Sequence, residues 1–387
     1  MAASSSASYA GLMSSLTFLD EACLRQYSPE QLLNRMLSLK SYIHTKKNQA
    51  GYHLPELEGF TQVGKGQCGS VWAFPDTTKV LKVMNKGKED QLHNDYCNHA
   101  RIEEAFRQTL SSFRRNISLP KLGPWVGPGN EMFWEEHRSL FVPGDSVQPT
   151  SGFVSERIFP VQGPVRSAIV DAFAPRDVKR NKKAFLSHQE NQDCLIRIYL
   201  GRRQNRQTTN TFRLRNFDMT VNEMEFLQLD TVLYAEILAQ MLAIIHWKAN
   251  LDANDVEFVF GGAPVHKELP TAAELQATAI ADIGKLMSPI DFHHRSIGIW
   301  VLDFDQCKDF SADMDGVKQL ERGFYFNDPY YPRPVSEHPN DVALWKTFKE
   351  CYLATSAAFT TSDMPLQFID AVEAEGRKRR AGGSLFK

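Results

Sequence analysis

Gly64-Lys65-Gly66-Gln67-Cys68-Gly69-Ser70-Val71 spaces three glycines as GxGxxGxV between two runs that read as strands, Gly59–Val63 and Ser70–Phe74. A glycine turn between strands lets backbone N–H groups approach phosphate oxygens with no Cβ in the way. Dinucleotide-binding loops use the same glycines but open directly into a helix. Here a strand follows, which argues against that version. The next strand, Lys79-Val80-Leu81-Lys82-Val83, carries Lys82 in an apolar setting. A buried ammonium is costly unless it is paired, so Lys82 needs a reason to be there.

The downstream half carries the stronger signal. Leu229–Trp247 is apolar and helix-compatible, and it ends in Ala243-Ile244-Ile245-His246-Trp247. Then come Leu251-Asp252-Ala253-Asn254-Asp255-Val256-Glu257 and the strand Glu257–Phe260. A second apolar strand, Ile297–Leu302, delivers Asp303-Phe304-Asp305. Glycine loop, strand lysine, long helix, carboxylate loop and carboxylate turn, in that order, resemble the protein kinase-like superfamily over residues 58–310.

That resemblance implies an α+β, two-lobed protein kinase-like fold with an N-terminal helical extension, holding ATP and magnesium between the lobes. Gly64, Gly66 and Gly69 would cover the phosphates. Lys82 would orient them and pair with Glu103 or Glu104 on a helix expected over residues 88–112. Asp252 would be the catalytic base, with Asp255 as the alternative register. Glu257 and Asp303 would hold metal. Asp305 stands where protein kinases have glycine, and a carboxylate there is similar to small-molecule kinases of the choline and aminoglycoside type. The pattern also departs from the superfamily. Asn250-Leu251-Asp252 lacks the usual arginine, glutamate replaces asparagine at position 257, and no Ala-Pro-Glu motif follows.

A narrower resemblance rests on Arg213-Leu214-Arg215-Asn216-Phe217, Ile245-His246-Trp247, Glu257-Phe258-Val259, Leu302-Asp303-Phe304-Asp305 and Asn327-Asp328-Pro329-Tyr330-Tyr331-Pro332-Arg333-Pro334. These strings look like a fungal family labelled "zinc finger protein", a resemblance that implies no particular activity. Structural zinc needs four Cys or His ligands, usually in close pairs. His93, Cys97 and His99 are the nearest approach, with no fourth ligand apparent, and His293-His294 is the other pair. Zinc is not expected.

Composition bounds the rest. The chain has 387 residues, enough for two domains or one two-lobed unit, and its net charge of −2 gives no global attraction to nucleic acid or membrane. Its six cysteines are scattered and form no CxxC pair, which fits free thiols. No signal peptide or apolar run of membrane length is visible, so an intracellular, cytoplasmic protein is expected. Residues 1–57 read as an extension, disordered over 1–17 and then helical to Lys47 with a break near Pro29. Residues 58–200 read as an N-lobe-like region and 201–387 as a mostly helical C-lobe-like region, with a further helix over Thr271–Met287. Arg176–Lys183 and Arg377–Arg380 are basic runs, the second a free tail suited to nuclear import.

Three functions fit. The first is a phosphotransferase acting on a small-molecule or protein acceptor. The second is a pseudokinase serving as a binding or scaffold module, favoured by the missing arginine and by Glu257. The third is a nucleic-acid-associated regulator, which near-neutral charge weighs against.

Overall fold

Strands β2 (Thr61–Lys65), β3 (Gly69–Ala73), β4 (Lys79–Met84), β6 (Leu122–Val126) and β7 (Gly152–Glu156) form an antiparallel sheet in the order β2-β3-β4-β7-β6. The computed structural model describes residues 27–39, 50–51, 59–74, 77–114, 117–141, 148–204, 212–264, 276–280 and 294–382. Strand side chains alternate between two faces. Trp72, Leu81 and Val83 pack with Phe60, Phe141 and Trp134 of helix α3 (Glu131–His137). Phe153 and Cys68 instead meet Leu92 of helix α2 (Glu89–Gln108).

A second, six-stranded sheet has the order β1-β11-β10-β8-β9, with β5 also beside β11. Its members are β1 (Ala50–Gly51), β5 (Ile117–Ser118), β8 (Ile196–Tyr199), β9 (Phe217–Thr220), β10 (Glu257–Pro264) and β11 (His294–Leu302). The antiparallel pair β10–β11 runs from Glu257 opposite Leu302 to Pro264 opposite Arg295. This register brings Glu257 and the residues after Leu302 to the same end of the sheet.

After the short helix α7 (Val221–Phe226), helix α8 (Thr231–Trp247) is apolar on all sides and accordingly buried almost throughout. Asp230 caps it by accepting from Leu233 N. Helix α10 (Pro339–Ser356) packs along α8, and α9 (Met314–Phe326) packs with α11 (Met364–Ala381). Among the described residues, no helix is long and apolar enough to cross a membrane.

Several expectations need correction. Pro29 opens α1 (Pro29–Leu37), with Ser28 and Gln31 forming a capping box, and the helix ends at Leu37, short of Lys47. Apart from residues 27–39 and the strand β1 at Ala50–Gly51, the extension lies outside the described residues, as does most of Thr271–Met287. Strand β8 pairs with β9 and β10, so residues 196–199 join the second sheet. The region before β8 holds helix α4 (Gly163–Phe173), whose Val165, Ala168 and Ile169 enter the larger core with Leu33 and Leu37 of α1. The basic run 176–183 forms the short helices α5 (Arg176–Arg180) and α6 (Lys182–Ser187), separated by Asn181 and with no buried residue. Arg377–Arg380 is no free tail. It ends α11, where Arg379 lies 3.9 Å over the Tyr325 ring and Arg380 pairs with Glu337.

His246, near the end of α8, is buried at 1% exposure, with Nδ1 2.8 Å from the Tyr352 hydroxyl. That hydroxyl also accepts from Trp247 Nε1 at 2.8 Å. Burial lowers the imidazole pKa from 6.5 to about 3, against a hydrogen bond to the Asp252 backbone that raises it. A depressed pKa makes the neutral ring a source of stability above 6.5 that fades as pH falls towards about 3. In urea melts at pH 7, 5 and 4, the stability gap between wild type and His246→Asn is expected to narrow on acidification. A gap independent of pH would show that His246 does not titrate in this way.

Candidate functional site

A cleft of about 380 Å³ lies between the sheets, lined on one side by Gly64, Val71, Val80 and Lys82 and on the other by Leu195, Asp255, Glu257, Leu302 and Asp303. This is within the size range of small-ligand sites.

Lys82 leaves β4 and donates to Asp95 of α2 at 2.6 Å and to Asp303 at 3.3 Å. Burial works against its charge, but Asp95 and Asp303 outweigh it and hold the ammonium well above the ordinary lysine value. Asp95 Oδ1 also accepts from Phe304 N at 3.2 Å, tying the turn after β11 to α2. Neither glutamate expected to pair with Lys82 does so. Glu103 accepts from Leu122 N at 3.0 Å and pins β6, while Glu104 holds Gln108 on the exposed face of α2. Asp95 lies eight residues before Glu103, about 12 Å along a helix. Docking of the helix decides between them: Asp95 shares the buried stripe of α2 with Leu92, His99 and Ile102.

Within the carboxylate loop, Asp252 is buried and Asp255 is half-buried. Asp252 turns inward, accepting from Lys308 N at 2.9 Å and Gln319 Nε2 at 2.7 Å. Asp255 lines the cleft with Asp303. Asn250, Ala253, Asp255 and Asp303 all have φ between 54° and 66°. Such backbone costs about 1–3 kcal/mol per non-glycine residue unless its surroundings hold it, and it clusters at functional sites. Asn327 is one holder, accepting from Asp255 N at 2.7 Å and donating to Ala253 O at 2.7 Å. Gln306 donates to the Asp255 carboxylate, and His246 braces the same loop through the Asp252 backbone.

The other carboxylates crowd together. Burial, then Asp303 and Asp305, raise Asp255 to about 6. Burial raises Glu257 to about 7 against the opposing pull of Arg197, with Asp303 and Asp255 adding to the rise. Arg197 of β8 donates directly to Glu257. Asp305 is raised by burial and then by Asp303. Its Oδ2 accepts from Gln91 Nε2 at 2.6 Å, whereas its buried Oδ1 has no partner among the described residues. An orphaned buried carboxylate oxygen beside three other acids is a place a cation would fill. No group of three or more His, Cys, Asp or Glu among the described residues is arranged to hold a metal unaided. Magnesium, which uses one or two carboxylates plus ligand phosphates, fits that donor set better than zinc does.

The glycine loop joins β2 to β3. A Cβ on Gly69 would sit 2.6 Å from Val83 O, so only glycine fits against β4. Gly66 N donates to Gly69 O at 2.8 Å, and the Asn85 side chain donates to Gly66 O and Gln67 O, both at 2.9 Å. Asn85, Arg197 and Asn327 were not expected from the sequence, being joined to the site by contacts distant along the chain. The three residues considered for zinc divide. Cys97 Sγ meets His93 at the exposed surface, while His99 is buried with Nε2 2.7 Å from Pro120 O. The side chains of His293 and His294 lie outside what is described.

Asp95→Asn should cost about 3 kcal/mol in denaturant unfolding, because it leaves a buried ammonium short of its nearest counter-charge. Glu104→Gln, on the exposed face, should stay within about 0.5 kcal/mol. Equal effects would remove Asp95 from its place at Lys82.

A family model described as "Zinc finger protein" matches residues 299–363, from the end of β11 through the Asp303 turn and α9 into the loop after α10. That stretch contains only Cys307, Cys351 and His338 as Cys or His residues, and Cys307 is buried with its thiol directed at Asn254 O. It cannot supply a four-ligand zinc site alone. No curated protein matches the chain. What the comparisons establish is a similarity to that family over residues 299–363.

Proposed function

We propose that this chain is a divergent member of the protein kinase-like superfamily that binds ATP with magnesium between its sheets and transfers a phosphoryl group to a small-molecule or protein hydroxyl. The observation that carries the reading is the Lys82 ammonium held between Asp95 and Asp303, at the mouth of a glycine hairpin and facing Asp255. Phosphoryl transfer asks for this combination: a fixed cation for phosphate oxygens, acids for metal, and a carboxylate near the attacking hydroxyl.

Each residue has a part. Lys82 orients the phosphates. Asp303 and Asp305 would hold the magnesium, which would neutralise phosphate charge. Val71, Val80, Leu195 and Leu302 give the base an apolar slot. Asp255, with its pKa raised to about 6, is ionised at neutral pH and accepts the proton of the acceptor hydroxyl. Asp252 positions the loop instead of taking the proton.

A second reading, a nucleotide-binding module without turnover, is favoured by Arg197. Its guanidinium engages Glu257, the residue at the second metal position, and so competes with a cation there.

Thermal unfolding with ATP and magnesium at ten times Kd should raise Tm by about 2 °C. Asp303→Ala should abolish the rise. Asp255→Asn should keep it while ending ADP formation with a competent acceptor. A rise in wild type without turnover on any acceptor would favour the binding module. No metal-dependent rise in wild type would sink the nucleotide reading altogether.

A further inference from the structure

A second cavity, of about 850 Å³, is lined in part by the segment 328–336 and shares no lining residue with the cleft. Its basic lining residues are all arginines: Arg202 and Arg203 after β8, Arg333 in the segment itself, and Arg379 and Arg380 at the end of α11. Arginine offers a planar fork of five donors suited to phosphate oxygens.

These arginines are not equally committed. Arg203 spends Nε, Nη1 and Nη2 on Asp341 and Glu225, and Arg380 pairs with Glu337. Both serve as struts. The other three surround one carboxylate, Asp328. Arg333 donates Nε to Gly201 O and Nη1 to Asp328 at 3.1 Å. Arg202 and Arg379 lie within electrostatic reach of the same carboxylate. The nearest acid to Arg202 is Asp218, at 3.9 Å, and its guanidinium lies 5.2 Å from the Tyr199 ring centroid. Arg379 uses Nε on Glu375 and stacks on Tyr325 at 3.9 Å. Aromatic faces and a backbone carbonyl thus fix three guanidiniums in place, with donors beyond those used in their described contacts.

The cavity lining carries five arginines against two carboxylates, Asp328 and Asp341, while Asp218 and Glu375 meet Arg202 and Arg379 from outside it, so the unused guanidinium donors face a space that a multiply charged anion would complete. We propose that this cavity is a binding site for a small, multiply phosphorylated anion, held by Arg202, Arg333 and Arg379. The site is independent of the nucleotide reading of the cleft, and Arg333 positions the ligand against the segment that follows Asn327.

Inorganic tripolyphosphate is the probe, titrated calorimetrically into the full chain at low salt, with sulfate at matched ionic strength as control. Binding should survive in Lys82→Met, which disables the cleft, and should weaken at least tenfold in Arg202→Ala/Arg379→Ala. These two side chains are 40% and 45% exposed, so the variant should fold, which its unfolding curve would confirm. Arg379→Glu alone should weaken binding further than Arg379→Ala. Affinity should fall steeply with added salt. Three results would overturn the site: no heat in wild type, loss of binding in Lys82→Met with the arginine variants unchanged, or an equal response to sulfate.

Discussion

One buried charge organises this molecule. Lys82 sits in the middle of an apolar strand at 14% side-chain exposure, a position tolerable only if counter-charges come to it. Asp95 comes from α2 and Asp303 from the turn after β11, so a single ammonium ties the first sheet, its helix and the second sheet together. Asn94 and Asn98 reinforce the same junction, donating to the backbone carbonyls of Asp305, Phe304 and Cys307. The buried polar face of α2 is therefore less a core than a set of clamps on the Asp303 turn.

The carboxylate loop obeys a similar constraint from below. Left-handed backbone at Asn250, Ala253 and Asp255 needs an external scaffold, and each support comes from a different element: His246 from α8, Gln319 from α9, Asn327 from the segment after α9, and Lys308 from the loop after Asp305. Asn327 connects this loop to its neighbour Asp328 and so to the arginine-lined cavity. The two cavities share no lining residue.

Crowding of like charge is the price of this arrangement. Asp255, Glu257, Asp303 and Asp305 face one space, and burial together with mutual repulsion raises Asp255 and Glu257 to about 6 and 7. Arg197 relieves part of it by engaging Glu257. The same acids that would hold a metal are thus partly answered by a side chain of the chain itself, which is why binding and turnover are separate questions for this cleft.

Local pattern determined much of the fold. Alternation placed β2, β3, β4, β10 and β11 within a few residues, and the unbroken apolar run of α8 declared a buried helix, because these signals depend only on nearest neighbours and solvent. The glycine spacing, Lys82, Asp255, Glu257, Asp303 and Asp305 were legible for the same reason: each is an unusual residue in a locally readable setting. Which acid meets Lys82 was not, since spacing along α2 leaves Asp95 and Glu103 equally eligible until the helix is docked. Nor was the inward turn of Asp252, which depends on Lys308 and Gln319, 56 and 67 residues away. The arginine-lined cavity draws its walls from residues 201–204, 325–341 and 376–380, and no window of sequence contains them together. Such groupings cost chain entropy to assemble and are decided by packing of the whole molecule, which local sequence does not encode.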